Sequence, residues 1–382
     1  MNIKSKDLLY YQVGEKKFHS DLHAFQYFSK NLNQPLSFNI NYNFFNDDWT
    51  QEPKLSVAHY RSEMCEQIAQ RYDKIIVAYS GGTDSETIIE EFKKKNIKNI
   101  ELLFVTNDIN STVASRKWLE EHMEIIIKQK HKDAIENLGW TFRIGEKWKL
   151  QDNKTFERTM TDYEEGCWQV DYRYLTAWHQ NSNEQILTRI KKQRTCIVFG
   201  KEKPEVVIKD GWWCFQLLNC DWEQPFDCVD PNTDLVFFYT SDYCPDLLKK
   251  LSHIKANEME KIFLEHKIEP TESNSRIISG QNSPYRERLL HAMGYRAMSK
   301  FLNTDATRPL GGWQKEIEVQ QQLKTDPKFY QNRQLLKNDF FDSVVANTVD
   351  NRFLDLNERK IHGIWGNPIK LKPVSQDLWK QH

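Results

Sequence analysis

The chain has 382 residues, a formal net charge of −1 and a mean hydropathy of −0.73. The near-zero charge argues against a nucleic-acid or membrane-surface partner, because both attract strongly basic proteins. No apolar run approaches the length of a transmembrane helix, and the first residues lack the basic-then-apolar pattern of a signal peptide. The seven scattered cysteines, an odd number, predict a cytoplasmic protein with mostly free thiols.

Residues 1–55 are predicted to form a small α/β region that precedes the main domain. The apolar run Leu8–Val13 and the residues after Gly14 indicate a short hairpin that turns at this glycine. The segment Phe38–Phe45 alternates polar and apolar residues, as a strand does.

The main domain, predicted over residues 56–255, opens with a helix and a buried strand. Ser56 begins a helix whose apolar positions recur at three- and four-residue steps as far as Tyr72. Ile75–Ala78 is a short apolar run with β-branched residues, as expected of a buried parallel strand. From Asp84 the period becomes helical again, with one apolar face formed by Ile88, Ile89 and Phe92.

The loop between this strand and this helix, Ser80-Gly81-Gly82-Thr83, predicts a phosphate cradle. Unpaired N–H groups of the turn and the helix N-terminus converge there, and the helix dipole favours negative charge. Glycines admit phosphate oxygens close to the backbone, while Ser80, Thr83 and Ser85 add hydroxyl donors. No lysine follows the glycines as in GxxxxGK[ST], and GxGxxG is also absent, so neither of these nucleotide-binding patterns applies.

Four further apolar runs are predicted to be strands of the same domain: Ile100–Val105, Met123–Ile127, Thr195–Phe199 and Leu235–Tyr239. Strands that alternate with helices predict an α/β fold with a doubly wound, mainly parallel sheet. Ligands of such sheets bind beyond the carboxyl ends of the strands, where the cradle and residues 106–110 both fall.

A second loop at this edge follows the strand Thr195–Phe199. Gly200 is predicted to open space for a ligand, and Lys201 and Lys203 supply positive charge that the first loop lacks. A solvated turn is the alternative interpretation. We predict that Gly200 belongs to the binding site of an anionic ligand and that Lys201 has a catalytic role toward this ligand.

Cysteines in the last part of the main domain do not form a recognised metal motif. Cys214, Cys220, Cys228 and Cys244 contain no C-x₂-C spacing, which favours ordinary thiols over zinc or an iron–sulfur cluster.

The region 256–382 is predicted to be mostly helical, because no sustained strand pattern follows Pro270. Four arginines of this region could bind an anionic substrate, but we favour the interpretation that they form a solvated basic face. They are Arg286, Arg288, Arg296 and Arg308.

The six residues Ser80–Ser85 resemble the SGGxDS signature of the PP-loop ATP pyrophosphatases. That superfamily includes asparagine synthetase, GMP synthetase, NAD synthetase and PAPS reductase. The segment from Ser56 to Gly82 also resembles PP-loop proteins encoded by bacteriophages. The resemblance implies an adenine nucleotide alpha hydrolase-like fold, with ATP and Mg²⁺ as cofactors.

The resemblance also implies roles for individual residues. Backbone groups near Val105, Thr106 and Asn107 would hold adenine and ribose, and Asp84 would organise the loop and Mg²⁺. Pyrophosphate would be held by Ser80, Gly81, Gly82, Thr83 and Ser85. The implied reaction is attack of a substrate carboxylate or carbonyl on the α-phosphorus, which gives an adenylated intermediate for ligation or amidation.

Two alternatives remain open at the level of sequence. A PAPS-reductase-like enzyme would bind a sulfonucleotide, although that family uses a C-terminal cysteine and the last cysteine here is Cys244. A catalytically silent nucleotide-binding module is the other alternative. The acceptor is not identified, and because Met1 is not followed by Cys, nitrogen would come from free ammonia, an amine or a partner protein. A homo-oligomer is also open.

Overall fold

The computed structural model describes most of the predicted main domain and parts of its flanks. The described residues are 9–18, 27, 31, 33–40, 46–79, 83–104, 125, 127–144, 194–200, 204–216, 233–280, 283–295, 359–360, 363–364 and 368–380. Several predicted site residues lie outside these ranges: Ser80, Gly81, Gly82, Val105, Thr106, Asn107, Lys201 and Lys203.

Three short strands near the N-terminus form an antiparallel sheet in the order β2-β1-β3: β1 (Leu9–Val13), β2 (Lys16–Phe18) and β3 (Leu36–Ile40). The β1–β2 hairpin turns at Gly14, whose φ of +59° lies in the left-handed region that glycine adopts without strain. The predicted hairpin is therefore confirmed, and so is a strand that includes Phe38.

The helix and strand predicted next are confirmed as α1 (Val57–Arg71) and β4 (Lys74–Tyr79). Ser56 caps α1, because its Oγ accepts a hydrogen bond from the backbone N–H of His59 at 3.2 Å. The helix after the cradle, α2, spans Thr83–Lys94 and begins one residue before the predicted Asp84.

The remaining elements follow in chain order. They are β5 (Ile100–Phe104), α3 (Lys132–Leu138), β6 (Thr141–Ile144), β7 (Thr195–Phe199), β8 (Glu205–Lys209), β9 (Trp212–Gln216), β10 (Thr233–Phe237), α4 (Pro245–His266), α5 (Glu272–Ser279), α6 (Arg286–Ala292), β11 (Arg359–Lys360), β12 (Gly363–Ile364), β13 (Ile369–Pro373) and α7 (Gln376–Trp379). None of the helices within the described ranges is long and apolar enough to cross a membrane.

A five-stranded sheet, parallel throughout, forms the centre of the fold in the order β10-β7-β4-β5-β6. From β4 the chain first adds β5 and β6 on one side, and then returns to add β7 and β10 on the other. The strand order therefore reverses between β4 and β7. This confirms the predicted open α/β sheet and places its topological switch point at the carboxyl ends of these two strands.

The predicted third strand, Met123–Ile127, is wrong. Ile125 and residues 127–130 are helical, and the third strand of the sheet is β6 instead. Ile127 is fully buried whereas Ile125 is 51% exposed, so only one side of this segment is covered. A short apolar run does not by itself distinguish a buried strand from a helical segment, because it is too short to show either period.

The two faces of the central sheet carry separate apolar clusters. On one face, residues of α1, α2 and α4 pack against the strands, with Met64, Ile88 and Leu251 at the centre. On the other face, the described members of the cluster come from strands only: Ile76, Leu103, Ile197, Phe199, Leu235 and Phe237. The residues of both clusters are buried, so the strands are covered on both faces, as a parallel sheet requires.

A second antiparallel sheet, in the order β13-β9-β8, was not predicted. Its β8–β9 hairpin turns at Asp210 and Gly211, which both have positive φ (48° and 77°). Asp-Gly between two apolar runs is a strong hairpin signal that the sequence offered. The region after residue 256, predicted as mostly helical, contributes β13 because its Ile369–Pro373 segment pairs with β9.

Helix α4 connects the two sheets. Leu247 and Leu251 pack in the cluster of the parallel sheet, whereas Met259 and Phe263 pack with Trp213 of the antiparallel sheet. The helix is therefore continuous across the predicted boundary between residues 255 and 256.

Candidate functional site

The described ends of the two segments that were predicted to share a site, Gly200 and the first turn of α2, lie together at the switch point of the parallel sheet. A Cβ placed on Gly200, directly after β7, would lie 3.1 Å from the backbone carbon and the Cβ of Asp84 in the first turn of α2. The same Cβ would lie 3.1 Å from Cδ1 of Ile88. Because β4 and β7 are paired neighbours, the segments that leave their carboxyl ends are brought into van der Waals contact.

Gly200 has a packing role that the sequence did not indicate. It was predicted to open space for a ligand, but the space that its missing Cβ leaves is filled by the first turn of α2. At this position 3.1 Å is closer than a real Cβ normally approaches carbon, so a larger residue would displace the helix start. Whether Gly200 also contacts a ligand stays a prediction.

The first turn of α2 has the composition of an anion-binding helix start. Thr83 and Ser85 are buried, Asp84 is partly exposed, and Thr87 Oγ1 donates to the carbonyl of Thr83 at 2.8 Å. The first N–H groups of an α-helix have no acceptor within the helix, and they carry the positive end of its dipole. The field at this turn therefore favours an anion.

Two carboxylates, Asp84 and Glu86, lie in the same first turn. They suit the helix dipole but repel an incoming phosphate, so a phosphate ligand needs a cation with it. Mg²⁺ in nucleotide sites uses one or two carboxylates and completes its shell with phosphate oxygens and water. Among the residues that the structure describes, no group of three or more His, Cys, Asp or Glu side chains lies together. Asp84, which is partly exposed at the switch point, fits the role of the single carboxylate.

Glu86 belongs to a buried polar cluster that sequence reasoning missed. Tyr79, the last residue of β4, donates its hydroxyl to Glu86 Oε1, and Lys130 forms an ion pair with the same oxygen. Burial and the neighbouring Glu86 carboxylate raise the pKa of the Tyr79 phenol well above its ordinary value. Lys130 therefore brings a positive charge to the first turns of α2, which the sequence assigned only to Lys201 and Lys203.

His131 closes this cluster on the side of Tyr79. The two rings meet edge to face with centroids 5.4 Å apart, and His131 is fully buried. Neither ring nitrogen has a hydrogen-bond partner among the described residues. Burial, reinforced by Lys93 and Lys130, lowers the pKa of His131 to about 3, so the ring stays neutral in the folded protein.

The end of the second loop is held by α4. Lys255, which is buried, donates from Nζ to the carbonyl of Pro204 at 2.8 Å and to that of Ser279 at 3.3 Å. The same Nζ lies 3.6 Å from the carboxylate of Glu205. Lys255 thus fixes the residue from which the chain enters β8, while Lys201 itself lies outside the described residues.

Two of the four cysteines considered as metal ligands are described, and they lie on different elements. Cys214 is in β9 and Cys244 precedes α4. Both are buried free thiols, and burial raises the pKa of each to about 12, which disfavours the thiolate that a metal needs. Cys220 and Cys228 lie outside the described ranges.

The arginines of the C-terminal region include one whose partners are known. Arg288 is half-buried and forms ion pairs with Glu258 and Glu265 of α4, whereas Arg286 is exposed, and a role of either in binding an anion stays a prediction. Arg296 and Arg308 lie outside the described residues.

Gly200→Ala is expected to lower the free energy of unfolding by about 1–3 kcal/mol, the usual cost of overpacking. If the loop Ser80–Ser85 binds Mg-ATP, as its resemblance to the PP-loop signature implies, Gly200→Ala should also weaken that binding, because the first turn of α2 must move. Gly280→Ala is a matched control, since its Cβ would lie 3.1 Å from the carbonyl oxygen of Arg276, away from the switch point. Urea unfolding and calorimetry test both variants. Equal stability of wild type and Gly200→Ala would contradict the packing role of Gly200.

His131→Phe is expected to reduce the loss of stability in mild acid. The folded pKa of His131 is lowered to about 3, whereas the unfolded chain protonates it near 6.5, so protons bind preferentially to the unfolded state as pH falls below 6.5. The contribution to the loss is about 2 kcal/mol by pH 5. Urea unfolding at pH 7 and pH 5 measures it. If wild type and His131→Phe lost the same stability over this range, His131 would not be neutral in the folded protein.

Comparison with known proteins adds no relative from which a function could be transferred. No protein-family model matches the chain, and no curated protein matches it in sequence. The basis for a function is therefore the site itself.

Proposed function

We propose that the protein is an adenylating enzyme of the PP-loop ATP pyrophosphatase type. It binds Mg-ATP at the carboxyl edge between β4 and β7, cleaves it to AMP and pyrophosphate, and activates a carboxylate or carbonyl group for ligation or amidation. The observation that supports this proposal is the contact between Asp84 and Gly200 at the switch point. The helical half of the SGGxDS motif lies where parallel α/β sheets bind nucleotides.

The strand order supports the finer fold assignment. In the order β10-β7-β4-β5-β6, the central strand β4 is also the first of the five along the chain. The SGGxDS motif follows this strand directly. An adenine nucleotide alpha hydrolase-like domain, which we propose here, needs its nucleotide loop after such a strand. The proposal assigns adenine and ribose to Val105, Thr106 and Asn107, which follow the adjacent strand β5.

In this proposal the cradle holds the pyrophosphate part of ATP. Residues 80–82 and the first-turn amides of α2 donate to phosphate oxygens, together with the hydroxyl groups of Thr83 and Ser85. Asp84 and the phosphates would hold Mg²⁺, which would supply positive charge against the leaving pyrophosphate. Lys201 adds positive charge at the same edge. Lys130, which forms an ion pair with Glu86, adds positive charge at longer range.

The proposed reaction has two steps, and neither needs an oxidant or a reductant. An acceptor oxygen attacks the α-phosphorus, the bond from that phosphorus to the α–β bridging oxygen breaks, and pyrophosphate leaves. Ammonia or an amine then attacks the activated carbon, loses a proton and displaces AMP. The protein's share is to align the reactants and to stabilise the charge that develops on pyrophosphate.

Gly82→Val tests binding. A valine side chain would occupy the space that the cradle keeps for a phosphate, so we expect calorimetry to show loss of Mg-ATP affinity. The matched control is Gly280→Val, which adds the same side chain away from the switch point at a φ of −67°, a backbone conformation that any residue adopts. Wild-type affinity in Gly82→Val would refute the cradle.

Asp84→Asn and Lys201→Ala test turnover. Asp84→Asn is nearly isosteric and should abolish most metal-dependent release of AMP while the fold is kept. Loss of the charge-assisted contact at Lys201 should cost about 1.5–3 kcal/mol, mainly in kcat. The control is Asp377→Asn, which makes the same substitution in the exposed first turn of another helix, α7.

The measurement is mass spectrometry of AMP against ADP, with a metabolite extract as the source of acceptor. Wild type that binds Mg-ATP but forms no AMP with any acceptor would favour the sulfonucleotide enzyme or the silent module. Unchanged turnover in Lys201→Ala would reduce the second loop to a solvated turn.

A further inference from the structure

A buried arginine lies behind the first turn of α2. Arg61 of α1 is only 3% exposed, and its guanidinium donates to the carbonyls of Gly294 at 2.7 Å and Met293 at 3.0 Å. A buried cation is costly unless fixed acceptors replace its hydration. These two carbonyls follow α6, so Arg61 joins α1 to the turn at the end of that helix.

Two tyrosines complete the surroundings of this cation. The Arg61 guanidinium carbon is 4.8 Å from the ring centroid of Tyr295 and 5.9 Å from that of Tyr239, both within cation–π range. The rings themselves are 5.2 Å apart and both are buried. Gly294 has a φ of +72°, and a Cβ there would lie 3.3 Å from Arg61 Nη1, so the turn also depends on glycine.

This group reaches the candidate site through Tyr239. Tyr239 follows β10 at the carboxyl edge of the parallel sheet, and its hydroxyl donates to the backbone carbonyl of Asp84 at 3.3 Å. After burial, which is the largest cause, the Asp84 charge raises the pKa of the Tyr295 phenol and Arg61 opposes it. Asp84 and Arg61 therefore act on the same phenol from different elements.

We infer that Arg61, Tyr239 and Tyr295 form a positioning cluster that sets the first turn of α2 in the candidate site. Tyr239 fixes the turn through the carbonyl of Asp84, and Arg61 holds both rings while it anchors the Met293–Gly294 turn. The cluster acts through Asp84, and the inference rests on the proposed function because the turn that it fixes belongs to the phosphate cradle. The site thus depends on residues from α1, from the end of β10 and from the turn after α6.

Tyr239→Phe isolates the contact, because it removes one hydroxyl and keeps the ring beside Arg61. We expect faster hydrogen exchange of the amides of residues 86–88, the first that donate within α2, and an affinity for Mg-ATP about three- to tenfold lower, the range that one neutral hydrogen bond gives. The matched control is Tyr60→Phe. Tyr60 is also buried, but its hydroxyl accepts from the backbone N–H of Leu55 at 3.2 Å and not from α2.

A second pair of variants tests Arg61. Arg61→Lys keeps the charge but loses the planar fork that reaches two carbonyls and stacks on a ring, so it should show the same exchange defect as Tyr239→Phe. Because this change could also disturb folding, near-wild-type unfolding by urea is required before its exchange is compared. If Arg61→Lys does not fold, Tyr239→Phe and Tyr60→Phe decide the inference.

The two readouts separate this inference from the proposed function. Wild type that neither binds Mg-ATP nor forms AMP would overturn the proposed function, while the exchange of residues 86–88 in the apo protein would still decide the positioning role. Exchange in Tyr239→Phe equal to that in Tyr60→Phe would overturn the positioning cluster. So would an equal loss of affinity in both variants, since that would reflect a general loss of stability.

Discussion

The parallel pairing of β4 with β7 is the constraint on which the candidate site depends. Ile76 and Val77 lie opposite Ile197 and Val198, so the two strands end side by side. The helix that follows β4 then starts over the end of β7, and the missing Cβ at residue 200 leaves room for its first turn. One strand pair and one glycine thus bring together segments that are far apart in sequence.

The first turn of α2 is surrounded by charged and polar groups. Asp84 and Glu86 lie at the positive end of the helix dipole, where carboxylates are stabilised. Glu86 accepts a hydrogen bond from Tyr79 and forms an ion pair with Lys130. The backbone carbonyl of Asp84 accepts from Tyr239, whose ring lies within cation–π range of Arg61. The helix start is therefore held from both sides by contacts within the protein.

Helix α4 makes the rest of the fold part of the same arrangement. Its first half packs on the parallel sheet and its second half on the antiparallel sheet, and Lys255 lies between them with its ammonium on the carbonyl of Pro204. The end of the second loop is thus held by the helix that joins the two cores. Ser275 of α5 adds to this region, because its Oγ accepts from the edge N–H of Ile208 in β8 at 2.9 Å.

The sequence by itself determined the features that depend on neighbours along the chain. The cap at Ser56, the hairpin at Gly14, and the strand, loop and helix around residues 74–94 follow from local periodicity and turn residues. The contact of Asp84 with Gly200 and the cluster of Arg61 with Tyr239 were decided by tertiary structure, because strand order is set by packing between distant segments. Packing also decided that Ile125 lies on a helix, since one buried face is compatible with either structure.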